Sequence, residues 1–132
     1  MAKYTEIEAI LNALFDSVAW KSENIKTFPG NFVGDTGNKY IRISILGNGK
    51  GVNISSLSGA LMIDIFVDTG NGINAYMLIA DTLDEYLVGK TLIGTNGNIQ
   101  LMNSTVVPYG VDKDTPRLFR TLYSIPFNFI GT

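Results

Sequence analysis

The sequence predicts an α+β fold: a single mixed β-sheet with two amphipathic helices packed on one face. Three observations point to it. Apolar residues recur at helical spacing over residues 7–18 and 73–87, alternate with polar ones over 39–46, and occupy both faces of a long run from Arg117 to Ile130. The resulting order is helix, two or three strands, helix, then three strands. No internal repeat, linker or low-complexity tract interrupts it.

The central stretch is Ser58 to Leu92. Leu61, Ile63, Ile65 and Val67 share one face of a strand, and Met62, Asp64, Phe66 and Asp68 share the other. The strand breaks at Asp68-Thr69-Gly70-Asn71-Gly72, where glycine and asparagine permit a tight turn. The period then changes to 3.6: Ile73, Tyr76, Met77, Ala80, Leu83 and Leu87 form a stripe opposite Asn74, Asp81 and Glu85. Gly89 and Lys90 supply a helix stop.

Upstream, Thr5-Glu6-Ile7-Glu8 has the form of a capping box opening a helix from about Glu6 to Val18. Ile7, Ile10, Leu11, Leu14, Phe15 and Val18 form its apolar stripe, and Ala9, Asn12 and Asp16 fall opposite. Trp20 is expected as a core anchor, followed by an ordered loop punctuated by Ile25, Phe28, Pro29-Gly30 and Phe32. Lys39 to Leu46 reads as a half-buried strand, with Ile41, Ile43 and Ile45 opposite Tyr40, Arg42 and Ser44. Asn48-Gly49 suits a type I′ turn within Gly47–Gly51, leading into Val52–Ile54.

Downstream, Asn96-Gly97 separates short strands near Thr91–Ile93 and Asn98–Met102. Thr105–Val111 is a strand whose Pro108 marks an edge or bulge, and Asp112–Pro116 is a polar turn. In the last strand Phe119, Tyr123, Ile125, Phe127 and Phe129 oppose Leu118, Arg120, Leu122 and Ser124, which fits an interior strand covered on both sides. Pro126 marks a bulge or the point where pairing stops.

At 132 residues the chain is expected to form one domain, residues 1–132. Hydrophobic residues make up 45% and charged residues 17%, against about 25% charged in an average domain. So little charge implies apolar surface covered by another subunit. The net charge of −2 and the lack of a Lys/Arg cluster argue against gripping nucleic-acid phosphates. Without cysteine or histidine, disulfides, thiolate chemistry, the usual zinc ligands and the commonest general base are all missing. The amino terminus has no apolar signal core, and no apolar run approaches the ~20 residues of a membrane span.

Gly89-Lys90-Thr91 is not a phosphate-binding loop, because the glycine required five residues earlier is Asp84 and the segment closes a helix. Gly47–Gly51 lacks a following helix to hold a nucleotide. Asp64, Asp68, Asp81, Asp84 and Glu85 are the densest carboxylates, the residue type of glycosidase or hard-cation sites. Their distribution over a turn and a polar helix face, without calcium-loop spacing, favours no metal, no cofactor and no catalytic residue. Asp64, between Met62 and Phe66, either faces solvent or makes a polar contact across a subunit interface.

The residues together are similar to a known family. An amphipathic helix leads to Trp20, then to Phe28-Pro29 and the strand Lys39-Tyr40-Ile41-Arg42. Gly59 and Met62-Ile63-Asp64-Ile65 precede Gly70-Asn71-Gly72 and a helix containing Ile79-Ala80-Asp81; Gly89 and an aromatic-rich strand follow. Over nearly the whole chain this resembles the small tail terminator (tail completion) proteins of long-tailed bacteriophages, the lambda type included. It departs in the Gly/Asn-rich loop Asn31–Asn38, where family members often carry a second proline.

The resemblance implies a non-enzymatic virion subunit at the tail–neck junction, assembled in the host cytoplasm, in a ring that is usually hexameric. Such a ring caps the tail tube, stops its polymerisation and meets the head-completion or neck proteins. DNA passes through without being bound specifically, and an acidic protein around the channel avoids sticking. Candidate contacts with the next subunit or the tube are Asp64, Leu78 and Asp81, with Asp35, Asn48 and Lys50 from the two glycine-rich loops. The alternatives are another neck or tube component, such as a head–tail joining protein, and a small-molecule-binding α+β domain.

Overall fold

In a computed structural model the described residues are 3–23, 25–29, 39–50, 57–68, 72–95, 97–111 and 118–131. Helix α1 (Lys3–Phe15) and a one-turn helix α2 (Val18–Lys21) are followed by strands β1 (Lys26–Pro29), β2 (Lys39–Lys50) and β3 (Leu57–Asp68). Helix α3 (Gly72–Leu87) precedes β4 (Thr91–Ile93), β5 (Gly97–Leu101), β6 (Thr105–Val111) and β7 (Leu118–Gly131). The strands form one sheet in the order β1-β2-β3-β7-β5-β4, with β6 also paired to β7. Only β1 against β2 is parallel among these pairs, so the sheet is mixed and the fold is α+β.

Strand β7 organises the sheet. One edge pairs with β3 from Leu118 to Phe129, and the other is shared end to end by β6 and β5. The change of partner falls at Pro126, which cannot donate a ladder hydrogen bond but accepts one from the Met102 amide at 3.0 Å. The expected end of pairing at Pro126 is therefore a handover between two strands. Strand β6 slips register between Pro108 and Gly110, and Gly110 adopts φ 107°, as a bulge at an edge requires.

Alternation decides what the helices cover. Ile41, Leu61, Ile63, Ile65, Tyr123, Ile125, Phe127, Phe129, Ile99 and Leu101 face the helices and are buried with Ile7, Ile10, Leu11, Phe15, Tyr76, Ile79, Ala80, Leu83 and Leu87. Trp20 joins the helices at one corner. Its ring meets Phe15 and Tyr86 edge-on at 5.1 and 5.2 Å, and its indole N–H donates to Thr27 Oγ1 at 2.9 Å. The Tyr86 hydroxyl donates its proton to the Glu23 carboxylate at 2.8 Å and lies 3.0 Å from the Ala19 carbonyl, tying α3 to the end of α2. At the other end of α3, Gly89 at φ 70° ends the helix as expected.

Several expectations need correcting. Helix α1 begins at Lys3, so Thr5 lies inside its first turn and does not cap it. The helix stops at Phe15, and Ser17, extended at ψ 152°, caps α2 through its side chain. That break turns Val18 out to 86% exposure. On α3, Ile79 is buried where Met77 was expected, and Met77 stands at the rim of the stripe. The segment read as an aromatic-pinned loop contains β1. Asn48-Gly49 is not a turn: β2 continues to Lys50, with a register shift between Gly47 and Gly49 against β3. Residues 51–56, which include Val52–Ile54, lie outside the described residues, as do 30–38, 69–71, Asn96 and 112–117.

Candidate interaction surface

The two faces of the sheet differ in kind. Opposite the helices, one end carries a small second cluster of Tyr40, Phe66 and Leu118, with Tyr40 and Phe66 stacked at 4.7 Å. Beside it, in the row Arg42–Asp64–Leu122–Val107, lies a charged group. Asp64 accepts from Arg42 Nη2 at 3.1 Å through one carboxylate oxygen, and from Arg120 Nε and Nη2 at 3.0 and 2.9 Å through the other. Arg42 also lies over the Phe66 ring and Arg120 over the Tyr109 ring, each 5.2 Å from the centroid. These rings hold the guanidinium groups in place from the apolar side.

Asp64 is therefore not turned to solvent. It is 8% exposed and takes charge-assisted bonds from two strands flanking its own. Two arginines around one carboxylate leave this trio with a net charge of +1. Neither arginine stood out in the sequence, because each alternates normally with apolar neighbours. Only the register that sets Arg42 opposite Asp64, and Arg120 diagonal to it, brings them together.

Beyond that row the same face is uncharged across the described residues of β2 to β4. It presents Ser44, Met62, Ser124, Pro126, Asn128, Asn98, Gln100 and Ile93, with Ile93 81% exposed. Short polar bonds cross it, such as Ser58 Oγ to Asn128 Oδ1 at 2.8 Å. A sheet face turned permanently to water usually carries alternating charged side chains. A stretch without charged side chains is what the centre of a contact surface looks like.

The remaining candidates fall elsewhere. Leu78, 57% exposed, and Asp81 project from the outer side of α3. Asn48 and Lys50 lie in β2 by their backbones, their side chains outside the described residues, as is all of Asp35. The carboxylates do not converge. Asp81 and Glu85 point outward, and Asp64 lies on the far side of the sheet. Asp84 is turned inward, where it accepts from Tyr123 and Ser104 hydroxyls at 2.6 Å each. Burial, reinforced by the bond to Asp84, pushes the Tyr123 phenol well above its usual 10.0. Tyr86 is also raised, chiefly by its bond to Glu23. No group of three or more metal-ligating side chains occurs among the described residues. No described helix is long and apolar enough to cross a membrane. A groove of about 580 Å³ lies between α1 and β4, lined by Ala9, Ile10, Leu14 and Leu92 among others.

No protein-family model matches the sequence, and no curated protein is significantly similar to it. Solved structures share the fold. One, a protein that carries no descriptive name, superposes with a TM-score of 0.70 at 11% identity, covering 95% of this chain and 96% of that one. Another is a chain of the virion of a native gene transfer agent particle, with a TM-score of 0.60 at 15% identity, covering 96% of this chain and 93% of that one.

Proposed function

We propose that this chain is a structural virion protein without catalytic activity: a subunit of a ring that caps a phage-type tail tube, stops its growth and offers the attachment surface for the head or neck. The observation that carries this reading is the end-to-end correspondence with a chain of a gene transfer agent virion, with neither chain left with an unmatched domain. The end of the open sheet face that carries no charge among the described residues supports it, since a ring subunit must give up surface to its neighbours. So do the low charge content and the acidic balance, which suit a channel that lets DNA pass without holding it. By the family resemblance the ring has six members and assembles in the host cytoplasm.

The test is a tube-length assay. Tail-tube subunits polymerised alone give an open-ended length distribution. Added at substoichiometric amounts, this protein is expected to cap tube ends and narrow that distribution, with rings seen at one end by electron microscopy. Binding to neck proteins without any effect on tube length would assign it instead to a head–tail joining role. No binding to either would overturn the virion reading.

A further inference from the structure

We propose that β4 offers its free edge to β4 of a second copy of this chain, the two strands running antiparallel about a two-fold axis at Leu92. This goes beyond the ring reading and uses the edge of the sheet, not its open face. Among the described residues the sheet ends in three outer edges, those of β1, β6 and β4. Two of them carry features that block pairing: Lys26 and Pro29 on β1, and Pro108 with the bulge at Gly110 on β6. Strand β4, Thr91-Leu92-Ile93, has no proline, no charge and no register shift against β5.

The ladder with β5 determines which backbone groups of β4 are left over. The Leu101 amide donates to the Lys90 carbonyl and the Gly94 amide to the Gly97 carbonyl, each at 2.9 Å. Alternation in an antiparallel pair then turns the N–H and C=O of Thr91 and Ile93 away from β5 and off the edge. A second β4 centred on Leu92 sets Thr91 of each copy opposite Ile93 of the other, and all of these groups are paired.

The side chains agree with that register. Leu92 meets Leu92 of the second copy on the helix side, in the groove that Ale9-side residues of α1 leave open: Ala9, Ala13 and Leu14 line it. Lys90, which is exposed, falls opposite Gly94 of the second copy. Glu6 Oε1 lies 2.8 Å from where a Cβ on Gly94 would stand, so each end of the pair brings a lysine to a carboxylate. Glu6 also has a partner in its own copy, and an ionised carboxylate, with about four acceptor positions, can serve both. Strands of three residues make a contact smaller than a stable dimer needs, so the pair forms only at high concentration. A two-fold contact uses the same edge from both copies and therefore closes at two.

The chain has no cysteine, so introduced thiols report the register. Under mild oxidation of concentrated protein, Leu92→Cys is expected to give a disulfide-linked dimer and nothing larger, because the two thiols face each other across the axis. Ile93→Cys is far more exposed, yet should link to itself about tenfold more slowly, since its symmetry mate stands on the diagonal, about 7–8 Å away. A mixture of Thr91→Cys and Ile93→Cys should give mixed dimers, which tests the same register without touching the half-buried leucine. Adding Lys90→Glu to Leu92→Cys should slow linking about tenfold. Adding Ile93→Pro, which removes an N–H that no bond inside the copy uses, should abolish it. A Leu92→Cys protein that stays monomeric, self-linking that is fastest for Ile93→Cys, or linking unchanged by both Lys90→Glu and Ile93→Pro overturns the pairing.

Discussion

The helix-covered and open faces of the sheet are made by the same strands, yet they hold the molecule together in different ways. On the covered face, side chains from α1, α2 and α3 interdigitate with β2, β3, β5 and β7 in one continuous apolar core. On the open face, the described residues form one ionic group and one stacked aromatic pair at one end, and the other end mixes polar and apolar side chains without charge. A face that does not carry the fold is available to carry contacts.

Substitutions on the two faces should separate sharply. The largest effect is expected from Trp20→Ala or Phe127→Ala on the covered face: about 3–5 kcal/mol lost in denaturant unfolding, since a large cavity opens in packed surroundings. Asp64→Asn comes next. Removing one partner of a buried ion group can cost 3–5 kcal/mol, but both arginines reach solvent, so about 2 kcal/mol is expected. A loss equal to that of Trp20→Ala would mean that the open face carries the fold as well.

Tyr123→Phe probes a polar bridge between the covered face and α3, and should cost about 1 kcal/mol at neutral pH. It also carries a pH signature. The folded state holds the Tyr123 proton above the usual 10.0 of the unfolded chain, so this stabilisation is complete below about pH 10 and is lost as pH rises beyond it. Thermal melting from pH 8 to 11.5 should therefore show a shallower alkaline decline for Tyr123→Phe than for the wild type. The smallest effect on stability belongs to Ser44→Lys and Gln100→Lys, exposed positions of the open face, within about 0.5 kcal/mol of wild type.

Much of this was legible in the sequence. Periodicity placed both long helices, β3 and β7, because a one-sided apolar pattern admits few alternatives. Pro108 and Pro126 marked irregular pairing because proline cannot complete a ladder. What escaped were features that depend on partners distant in the chain. Strand β1 is four residues with a proline and no alternation, and it exists because β2 lies alongside. Asn48-Gly49 has the composition of a turn, but pairing with β3 carries β2 straight through it. Val18 fitted the stripe of α1 until the break at Ser17 rotated it outward. The Asp64 group was the least legible of all, since Asp64 and its two arginines lie 22 and 56 residues apart and meet only through register.

The central claim, that the uncharged end of the open sheet face is an assembly surface, is tested most directly by native mass spectrometry of the wild type and the Ser44→Lys/Gln100→Lys double variant, with and without tail tubes. The wild type is expected as a ring of fixed mass, and the variant as a monomer with an unchanged melting temperature. A wild type that is monomeric under both conditions, or a variant that still closes into the same ring, would contradict it.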